Sequence, residues 1–231
     1  MKSNNFFQNH SCRLAVLVDP DKYNPRLIKM LSAKHVGFIF IGGSKLKKNN
    51  ISTVVKSIKK QTRIPVILFP GDEKQLNSDV DGIMVLSLVS GRNPEYLIGK
   101  LVKSAEKIKK LVIPTTSVAY VLCGKYLSTT AKVSGTKPIS NKKELRATVI
   151  AAELLGLQNI YLEAGSGAAS SIDTKEIKAI RKITHLPVIV GGGIKTTEQI
   201  KKVKEAGANI IVIGNCLEKN PELIIDFQKI F

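Results

Sequence analysis

The chain has 231 residues, of which 43% are hydrophobic and 23% charged, a balance that is typical of a globular protein and excludes a disordered or fibrous chain. Its three cysteines are scattered, which argues against a disulfide scaffold or a zinc site, and no apolar run approaches the roughly 20 residues of a membrane-spanning helix, so we expect a cytoplasmic protein. The net charge of +18 comes mostly from Lys-rich segments, which we interpret as solvated helix faces.

Apolar, β-branched segments predict buried strands, and segments with helical periodicity separate most of them. The predicted strands span residues 13–18, 36–41, 65–69, 82–86, 111–114, 159–163, 187–190 and 209–213. The predicted helices span residues 24–34, 52–61, 94–109, 141–155, 173–184, 196–206 and 221–230. This repeated alternation indicates a single α/β domain, residues 1–231, with the (β/α)8 TIM-barrel fold. An open doubly wound sheet is the alternative, although that fold more often has about five or six strands.

Two connections depart from the regular alternation. Only about a dozen residues separate the third and fourth predicted strands, so we expect the third helix to be short or missing. Residues 115–140, after the fifth predicted strand, form the longest irregular stretch. Long connections in compact domains are usually functional, and active sites of barrels lie at the carboxyl ends of the strands, so we predict a lid here.

Glycine-bearing turns follow the last three predicted strands, as AGSG at 164–167, GGG at 191–193 and GN at 214–215. Glycine lets backbone N–H groups approach a ligand closely, and a helix N-terminus after such a turn favours an anion. In barrels, the ends of strands seven and eight often form a phosphate site. We therefore predict a phosphate site here rather than plain strand–helix turns, and we expect Thr196 to cap the helix after the second turn.

Glu163 places a carboxylate at the end of an apolar strand, where a charge is costly unless it is paired or used. At the mouth of a barrel, we expect it to act as a base or to hold a hydroxyl group. Tyr161 alternates with Glu163, so both side chains point to the same side of the strand. An ion pair between Glu163 and a core lysine is the alternative interpretation.

Oxygen-bearing side chains also follow the first two predicted strands, as Asp19 and Asp21 after the first and Ser44 after the second. Mg²⁺ prefers oxygen ligands and usually shares its coordination shell with phosphates. This pattern fits Mg²⁺ bound together with a substrate pyrophosphate, and a plain Asp-Pro-Asp turn is an equally good interpretation of the first segment alone. Together with the glycine turns, it predicts two phosphate sites across one barrel mouth, as in a transferase with a diphosphate leaving group.

The motifs VDPDK, FIGGSK, SGTKPI, YLEAGSG, VGGGIK and IGN occur in this order along the chain. In order and spacing, the chain resembles the geranylgeranylglyceryl phosphate synthase family from about Leu14 to Asn215. The resemblance implies a barrel enzyme that transfers a prenyl group from its diphosphate to the 3-hydroxyl of sn-glycerol 1-phosphate, forming an ether bond in phospholipid biosynthesis. It also implies a homo-oligomer, either a dimer or a hexamer, and its lipid product is compatible with peripheral membrane contact.

Carried over position by position, the resemblance assigns roles to the matching residues. Asp19 and Ser44 would bind Mg²⁺. Glu163 would orient or deprotonate the attacking hydroxyl, with Tyr161 as a second catalytic residue. The site for sn-glycerol 1-phosphate would consist of Tyr161, Leu162, Glu163, Ala164, Gly165, Ser166, Gly167, Gly192, Gly193, Gly214 and Asn215.

One position departs from the family pattern. Several members carry a Lys two residues before the first Asp, where this chain has Leu17, so we expect Lys22 or Lys45 to neutralise phosphate instead. The prenyl chain is expected in an apolar groove along the side of the barrel, lined partly by the helix after the fourth strand. Ser104 on that helix is small, where some members carry a bulky residue that limits chain length, and the default expectation is the C20 geranylgeranyl group.

Two other functions stay open at this point. One is another phosphate-binding barrel, such as a sugar-phosphate isomerase, lyase or aldolase; a Schiff-base aldolase requires a Lys in a late strand, and predicted strands six to eight contain none. The other is a basic protein that binds nucleic acid or a membrane surface without turnover. Aromatic residues make up only 5% of the chain, so stacking platforms are sparse and we expect no nucleic-acid partner.

Overall fold

The computed structural model describes residues 5–8, 11–43, 50–124 and 127–231. In these ranges, parallel strands form a closed barrel in which each strand pairs with the next in sequence and the last pairs with the first. The strands are β1 Arg13–Val18, β2 Val36–Ile41, β3 Val66–Leu68, β4 Gly82–Ser87, β5 Thr115–Leu122, β6 Asn159–Glu163, β7 Val188–Gly191 and β8 Ile210–Ile213. The α-helices are α1 Pro25–Lys29, α2 Ile51–Gln61, α3 Lys100–Leu111, α4 Thr129–Ser134, α5 Lys142–Leu154, α6 Thr174–Arg181, α7 Thr197–Glu205, α8 Asn215–Lys219 and α9 Leu223–Gln228. The predicted (β/α)8 barrel is confirmed.

The connection between β3 and β4 contains no α-helix. It holds only a short 3-10 turn, Glu73–Gln75, as expected from the short interval in the sequence. Because α2 and α3 flank this connection in the chain, the outer layer of the barrel is thin between them. On this side, no helix of the β3–β4 connection covers the strands of the barrel.

The prediction for the fifth strand was wrong. Residues 111–114 end α3 and begin a turn, and β5 runs over Thr115–Leu122, inside the stretch that we predicted to be irregular. Val112, the residue that caps α3 after Leu111, has a left-handed backbone conformation with φ of 54° and is 87% exposed. Glycine normally marks such a helix end, and a β-branched residue does so rarely, so the run Leu-Val-Ile looked like a strand.

Strand alternation sorts the barrel side chains into two cores. Ile160 and Leu162 of β6 point outwards and pack against the helices, in the larger hydrophobic cluster. Tyr161, between them, points into the barrel with Tyr120 of β5, its register partner, in a separate aromatic cluster. The upper interior is thus filled by the rings of Phe69, Tyr120 and Tyr161, with centroids 5.1 to 5.7 Å apart.

The N-terminal segment closes the lower end of the barrel interior. Phe7 is buried there and packs edge-on against Phe38, with ring centroids 5.2 Å apart. Asn5 donates a hydrogen bond to the carbonyl of Gln158 just before β6, which fixes this segment under the barrel. A buried Phe stabilises the fold by about 2 to 3 kcal/mol relative to an exposed one.

Within the described ranges, every helix is too short or too polar to cross a membrane.

Candidate active site

A cavity of about 520 Å³ opens at the carboxyl ends of the strands. Its polar end is lined by Asp19, Glu163, the Gly192–Gly193 turn and Asn215. Its apolar end runs along α3 and the helical turn before it, where Leu97, Leu101, Ser104 and Ile108 follow each other at helical spacing on the wall of the cavity. The apolar groove predicted beside the helix after the fourth strand is therefore present, and Glu163 lies in the same cavity.

Glu163 is the carboxylate at the centre of this cavity, and only 7% of the residue is exposed. Its Oε1 atom accepts a hydrogen bond from the backbone N–H of Gly165 at 2.7 Å. Burial raises the pKa of Glu163 from 4.5 to about 7, although the Gly165 N–H and the nearby Tyr161 and Tyr120 hydroxyls oppose this shift. No lysine is among the causes of the shift, so the structure gives no support to an ion pair with a core lysine.

The Tyr161 hydroxyl lies beside this carboxylate and is fully buried. Burial, and then the negative charge of Glu163, raise the pKa of Tyr161, so the phenol stays protonated at neutral pH. Among the described residues, its oxygen has no hydrogen-bond partner of normal geometry. A buried hydroxyl without a partner costs about 1 to 3 kcal/mol, and a polar group of a ligand in the cavity would remove that cost.

The glycines at the end of β7 make room for these two side chains. A methyl group on Gly191 would overlap the Tyr161 hydroxyl, and one on Gly192 would overlap the Glu163 carboxylate. A methyl group on Gly193 would overlap the backbone at Ser170. The GGG motif, which we interpreted as a phosphate site, therefore also has a steric role: it lets the turn approach the carboxylate.

A hydrogen bond joins the turns after β6 and β8. The Ser166 hydroxyl donates to Oδ1 of Asn215 at 2.9 Å, and Gly167 and Gly214 line the cavity beside this pair. The backbone N–H groups at the start of α8 lie at the same place, which suits an anion. The predicted phosphate-binding turns thus come together on one side of the mouth.

Three predicted residues of the glycerol phosphate site do not line the cavity. The side chains of Leu162 and Ala164 are buried in the outer cluster, between barrel and helices. Gly165 acts through its backbone, as the donor to Glu163. The structure therefore gives these residues positions behind the site, and their contact with a substrate stays a prediction.

Asp19 lies across the mouth, at the end of β1. Its Oδ1 accepts from the Asp21 N–H at 3.0 Å, and its Oδ2 lies 3.9 Å from the Lys22 ammonium, which also pairs with Glu218 at 2.8 Å. Partial burial raises the pKa of Asp19 despite the Asp21 N–H and Lys22. Ser44, the second predicted metal ligand, and Lys45 lie outside the described residues.

The described part of this site fits Mg²⁺ through one carboxylate. No cluster of three or more acidic, His or Cys side chains occurs among the described residues, so a site made only of protein ligands is not present there. Mg²⁺ bound with a diphosphate needs just one or two carboxylates, because phosphate oxygens and waters complete the shell. The carboxylate of Asp19, whose side chain is 28% exposed at the cavity rim, suits that arrangement.

Leu17, which stands where several members of the resembled family carry a Lys, also has apolar surroundings in the structure. Leu17 packs against Gly214, with 3.3 Å between its Cβ and the place where a Gly214 Cβ would stand. Lys22, Lys100 and Lys195 are the cationic side chains that line the described cavity. Lys22 was predicted; Lys100 and Lys195 were missed, since each reaches the cavity from a different loop or helix.

Two further residues at the site were also missed. Tyr120 was placed in an irregular stretch, but it points into the barrel, and its hydroxyl lies beside Glu163 and Thr130 of α4. Gln75 belongs to the 3-10 turn that replaces the third helix, and it is buried against the turn after β2. The alternation of Val118, Tyr120 and Leu122 was a sequence signal for the first, whereas none existed for the second.

The fold and the site together define a class of protein: a (β/α)8 barrel whose cavity joins a polar end, with a buried carboxylate and glycine-bearing turns, to a long apolar end. Comparison with known proteins identifies the family within this class. The model of the PcrB family matches residues 8–230, and the chain belongs to that family.

The relatives of the chain have a common name. The geranylgeranylglyceryl phosphate synthase of Zunongwangia profunda is 42% identical over 211 residues, which cover 89% of this chain and 90% of the relative. Among solved structures, the wild-type GGGPS of Thermoplasma volcanium has a TM-score of 0.87 at 27% identity, covering 96% of this chain and 92% of that one. The (S)-3-O-geranylgeranylglyceryl phosphate synthase of Thermoplasma acidophilum, in complex with its substrate sn-glycerol-1-phosphate, has a TM-score of 0.86 at 27% identity, covering 96% and 94%.

Proposed function

We propose that this protein transfers a prenyl group, geranylgeranyl by default, from its diphosphate to the 3-hydroxyl of sn-glycerol 1-phosphate. The observation that carries the proposal is one cavity in which a buried carboxylate with a pKa of about 7 lies between anion-binding turns and an apolar channel. The names of its relatives agree with this chemistry. The product would be an ether lipid phosphate that feeds phospholipid biosynthesis.

The two substrates would occupy opposite sides of the mouth. The phosphate of the acceptor would bind to the turns after β6, β7 and β8, close to the Ser166–Asn215 pair. The hydroxyl of the acceptor would then lie against Glu163 and supply a partner for the Tyr161 hydroxyl. The prenyl chain would lie along α3, with its diphosphate near Asp19.

The chemistry follows from this placement. The hydroxyl oxygen of the acceptor forms a bond to C1 of the prenyl group while the bond between C1 and the diphosphate oxygen breaks, and the diphosphate takes that electron pair. The carboxylate of Glu163 accepts the hydroxyl proton, for which a pKa near 7 is well matched. Mg²⁺ held by Asp19 and Ser44 would supply charge stabilisation for the leaving diphosphate. Holding both substrates in one cavity aligns oxygen and carbon for attack.

The direct test is transfer by the purified protein. We expect an ether-linked product from geranylgeranyl diphosphate, Mg²⁺ and labelled sn-glycerol 1-phosphate, and much less from the sn-glycerol 3-phosphate enantiomer. The Glu163→Ala and Asp19→Ala variants should have almost no activity. Full activity of both variants, or no transfer by the unmodified protein, would contradict the proposal.

The same assay separates the alternative functions. A sugar-phosphate isomerase or lyase would turn over its own substrate and leave the prenyl diphosphate intact, and the apolar channel along α3 would then have no role. A charge-driven nucleic-acid binder would show salt-sensitive DNA binding without transfer. The apolar channel favours the transferase.

Further proposals concern the setting of the enzyme. We expect a cytoplasmic protein, since all three cysteines are free thiols, as suits a reducing compartment. We also expect a dimer or hexamer, which light scattering on the eluting protein would identify. Peripheral membrane contact fits the exposed Ile98 and Val102 of the lysine-rich segment around α3, next to the apolar end of the cavity. Co-sedimentation with anionic and neutral vesicles would test that contact.

A further inference from the structure

The connection that replaces the third helix contains a buried glutamine. Gln75 closes the 3-10 turn Glu73–Gln75 and is only 2% exposed. A buried side-chain amide is stabilised only when its donors and acceptor find partners, so the contacts of Gln75 show what it is for. They join the β3–β4 connection to the turn after β2 and also hold the connection together internally.

The amide of Gln75 holds the turn after β2 from both sides. Its Nε2 donates to the carbonyl of Gly43 at 2.6 Å, and its Oε1 accepts longer bonds from the N–H groups of Gly43 at 3.4 Å and Gly71 at 3.3 Å. One side chain thereby fixes both backbone groups of Gly43. Fixing both groups leaves the peptide planes of this turn little freedom to rotate.

The turn that Gln75 holds faces the diphosphate side of the site. The position of a Cβ on Gly43 would be 3.5 Å from Oδ1 of Asp19, so backbone and carboxylate lie side by side. A methyl group on the preceding Gly42 would overlap the carbonyl of Phe69, which shows that the turn is packed tightly against the end of β3. The residue after Gly43 is Ser44, the second expected metal ligand.

The same connection is also fastened to the apolar channel. Lys100, in the first turn of α3, donates to the carbonyl of Gly71 at 2.9 Å, and its ammonium lies 4.5 Å from the centre of the Tyr96 ring. Lys107, two turns later, lies 3.9 Å from Glu73. The contacts therefore run from α3, through Gly71 and Gln75, to Gly43 beside Asp19.

We propose that Gln75 is a positioning residue for the diphosphate end of the site: it sets the Gly42–Gly43 turn against Asp19 and links that turn to the wall of the apolar channel. The inference rests on the proposed function, because it concerns how a prenyl diphosphate is held. Gln75 does not touch the reacting atoms. Its loss should weaken the binding of the diphosphate and leave the binding of glycerol phosphate, on the opposite side of the mouth, unchanged.

The test compares two glutamines at opposite ends of the barrel. Gln75→Met keeps the size of the side chain and removes its hydrogen bonds. Gln158→Met is the matched control, since the Gln158 amide oxygen accepts from the Ser117 N–H at 3.0 Å near the start of β5, far from the mouth. For each variant we would measure the midpoint of thermal unfolding, both KM values and, by calorimetry, the affinity for magnesium pyrophosphate.

We expect Gln75→Met to raise the KM for geranylgeranyl diphosphate and the Kd for magnesium pyrophosphate about tenfold, while the KM for sn-glycerol 1-phosphate changes less than about twofold. Gln158→Met should lower the unfolding midpoint with both KM values unchanged. Equal increases of both KM values in Gln75→Met, or an unchanged affinity for the diphosphate, would overturn the inference.

A second variant covers the case in which Gln75→Met folds poorly. Gln75→Glu keeps the size of the side chain, and its protonated form can again donate to the Gly43 carbonyl. The ratio of its KM for the diphosphate to that of the unmodified protein, measured at the same pH, should therefore approach one as the pH is lowered. A ratio independent of pH would contradict the role of Gln75 as a hydrogen-bond donor. If the unmodified protein transfers no prenyl group, the proposed function fails; if it does and the Gln75 variants behave like it, only this inference fails.

Discussion

Glu163, the proposed base, carries a cost to stability. Its pKa in the folded protein is raised from 4.5 to about 7 by burial, so the folded state holds a proton that the unfolded chain has already released in this pH range. The folded state therefore loses stability as the pH rises from about 4.5 to 7, and above 7 the loss is complete. By the size of the shift, the deficit is about 3 kcal/mol.

Replacing this carboxylate should trade activity for stability. We expect Glu163→Gln to lower kcat about 1,000-fold, because the base is lost, and to raise the free energy of unfolding at pH 8 by up to about 3 kcal/mol, because no charge is buried. Urea unfolding at pH 5 and pH 8, with kinetics at pH 8, would measure both. An equally active variant would show that Glu163 is not the base. A variant less stable than the unmodified protein at pH 8 would show that the Glu163 charge does not destabilise the fold.

The pH dependence of the unmodified protein is a separate prediction. If the ionised carboxylate of Glu163 is the base, as proposed, kcat/KM should fall about tenfold per pH unit below a pKa near 7. In Glu163→Gln, the residual rate should lack this step. A profile that is flat between pH 5 and 8 would place the base elsewhere.

Two alanine variants can separate the steric role of Gly192 from the effect of its backbone conformation. Gly192 and Gly156 both have left-handed backbones, with φ of 82° and 76°, but a methyl group would overlap Glu163 at the first and meet nothing within 4 Å at the second. Both alanine variants should lose about 1 to 2 kcal/mol of stability from the backbone alone. Only Gly192→Ala should also lose activity, about 100-fold in kcat/KM, since it displaces the carboxylate.

Steady-state measurement of kcat/KM for Gly192→Ala and Gly156→Ala would test this prediction. Similar losses of activity in both would mean that the backbone conformation, and not the contact with Glu163, is what the glycine provides.

At the scale of elements, helix α3 sets the length of the apolar channel. Ser104 is buried on its inner face and donates to the carbonyl of Lys100 at 2.9 Å, whereas Ala105 faces outwards. We expect Ser104→Phe to block the channel below this point, so that kcat/KM for geranylgeranyl diphosphate falls at least about tenfold while that for a C10 diphosphate is retained. Ala105→Phe is the control and should leave the preference unchanged. A Ser104→Phe enzyme with unaltered preference for C20 would show that the chain lies elsewhere.

The elements around the predicted phosphate-binding turns could be predicted from the sequence because their signals are local. The apolar centre of β6, Ile160 to Leu162, and the Thr196 cap of α7, whose hydroxyl accepts from the Gln199 N–H at 3.2 Å, depend on neighbours within a few residues. The end of α3 could not be predicted, because its left-handed residue is Val112 and not glycine. That one misplaced boundary shifted β5 and left Tyr120 out of the site.

The remaining site residues depend on contacts between distant segments. Gln75 acts on Gly43, 32 positions earlier, and Ser166 pairs with Asn215, 49 positions later. The need for glycine at position 192 follows from its contact with Glu163, which lies on another strand. Turn motifs thus predicted which strand ends line the cavity. The partners of each side chain could be identified only from the closed barrel.

For the whole molecule, the two ends of the barrel separate stability from function. Phe7 plugs the end opposite the cavity, so Phe7→Ala should lower the free energy of unfolding by about 3 to 5 kcal/mol. The control is Leu155→Ala, at a residue that is 75% exposed, which should change it by less than about 0.5 kcal/mol. In the folded fraction of Phe7→Ala, both KM values should be unchanged; altered KM values would show that the plug influences the mouth.

The thin side of the barrel, between α2 and α3, has a consequence for the unloaded protein. Where a complete barrel has a helix on this side, here there is one short turn and an apolar channel. A prenyl chain bound there would cover apolar surface that the side chains of a helix cover in a regular barrel. The proposed substrate would thus extend the hydrophobic core while it is bound. Each added isoprene unit would then stabilise the folded protein as well as the complex, so the midpoint of thermal unfolding should rise with the length of the bound prenyl chain.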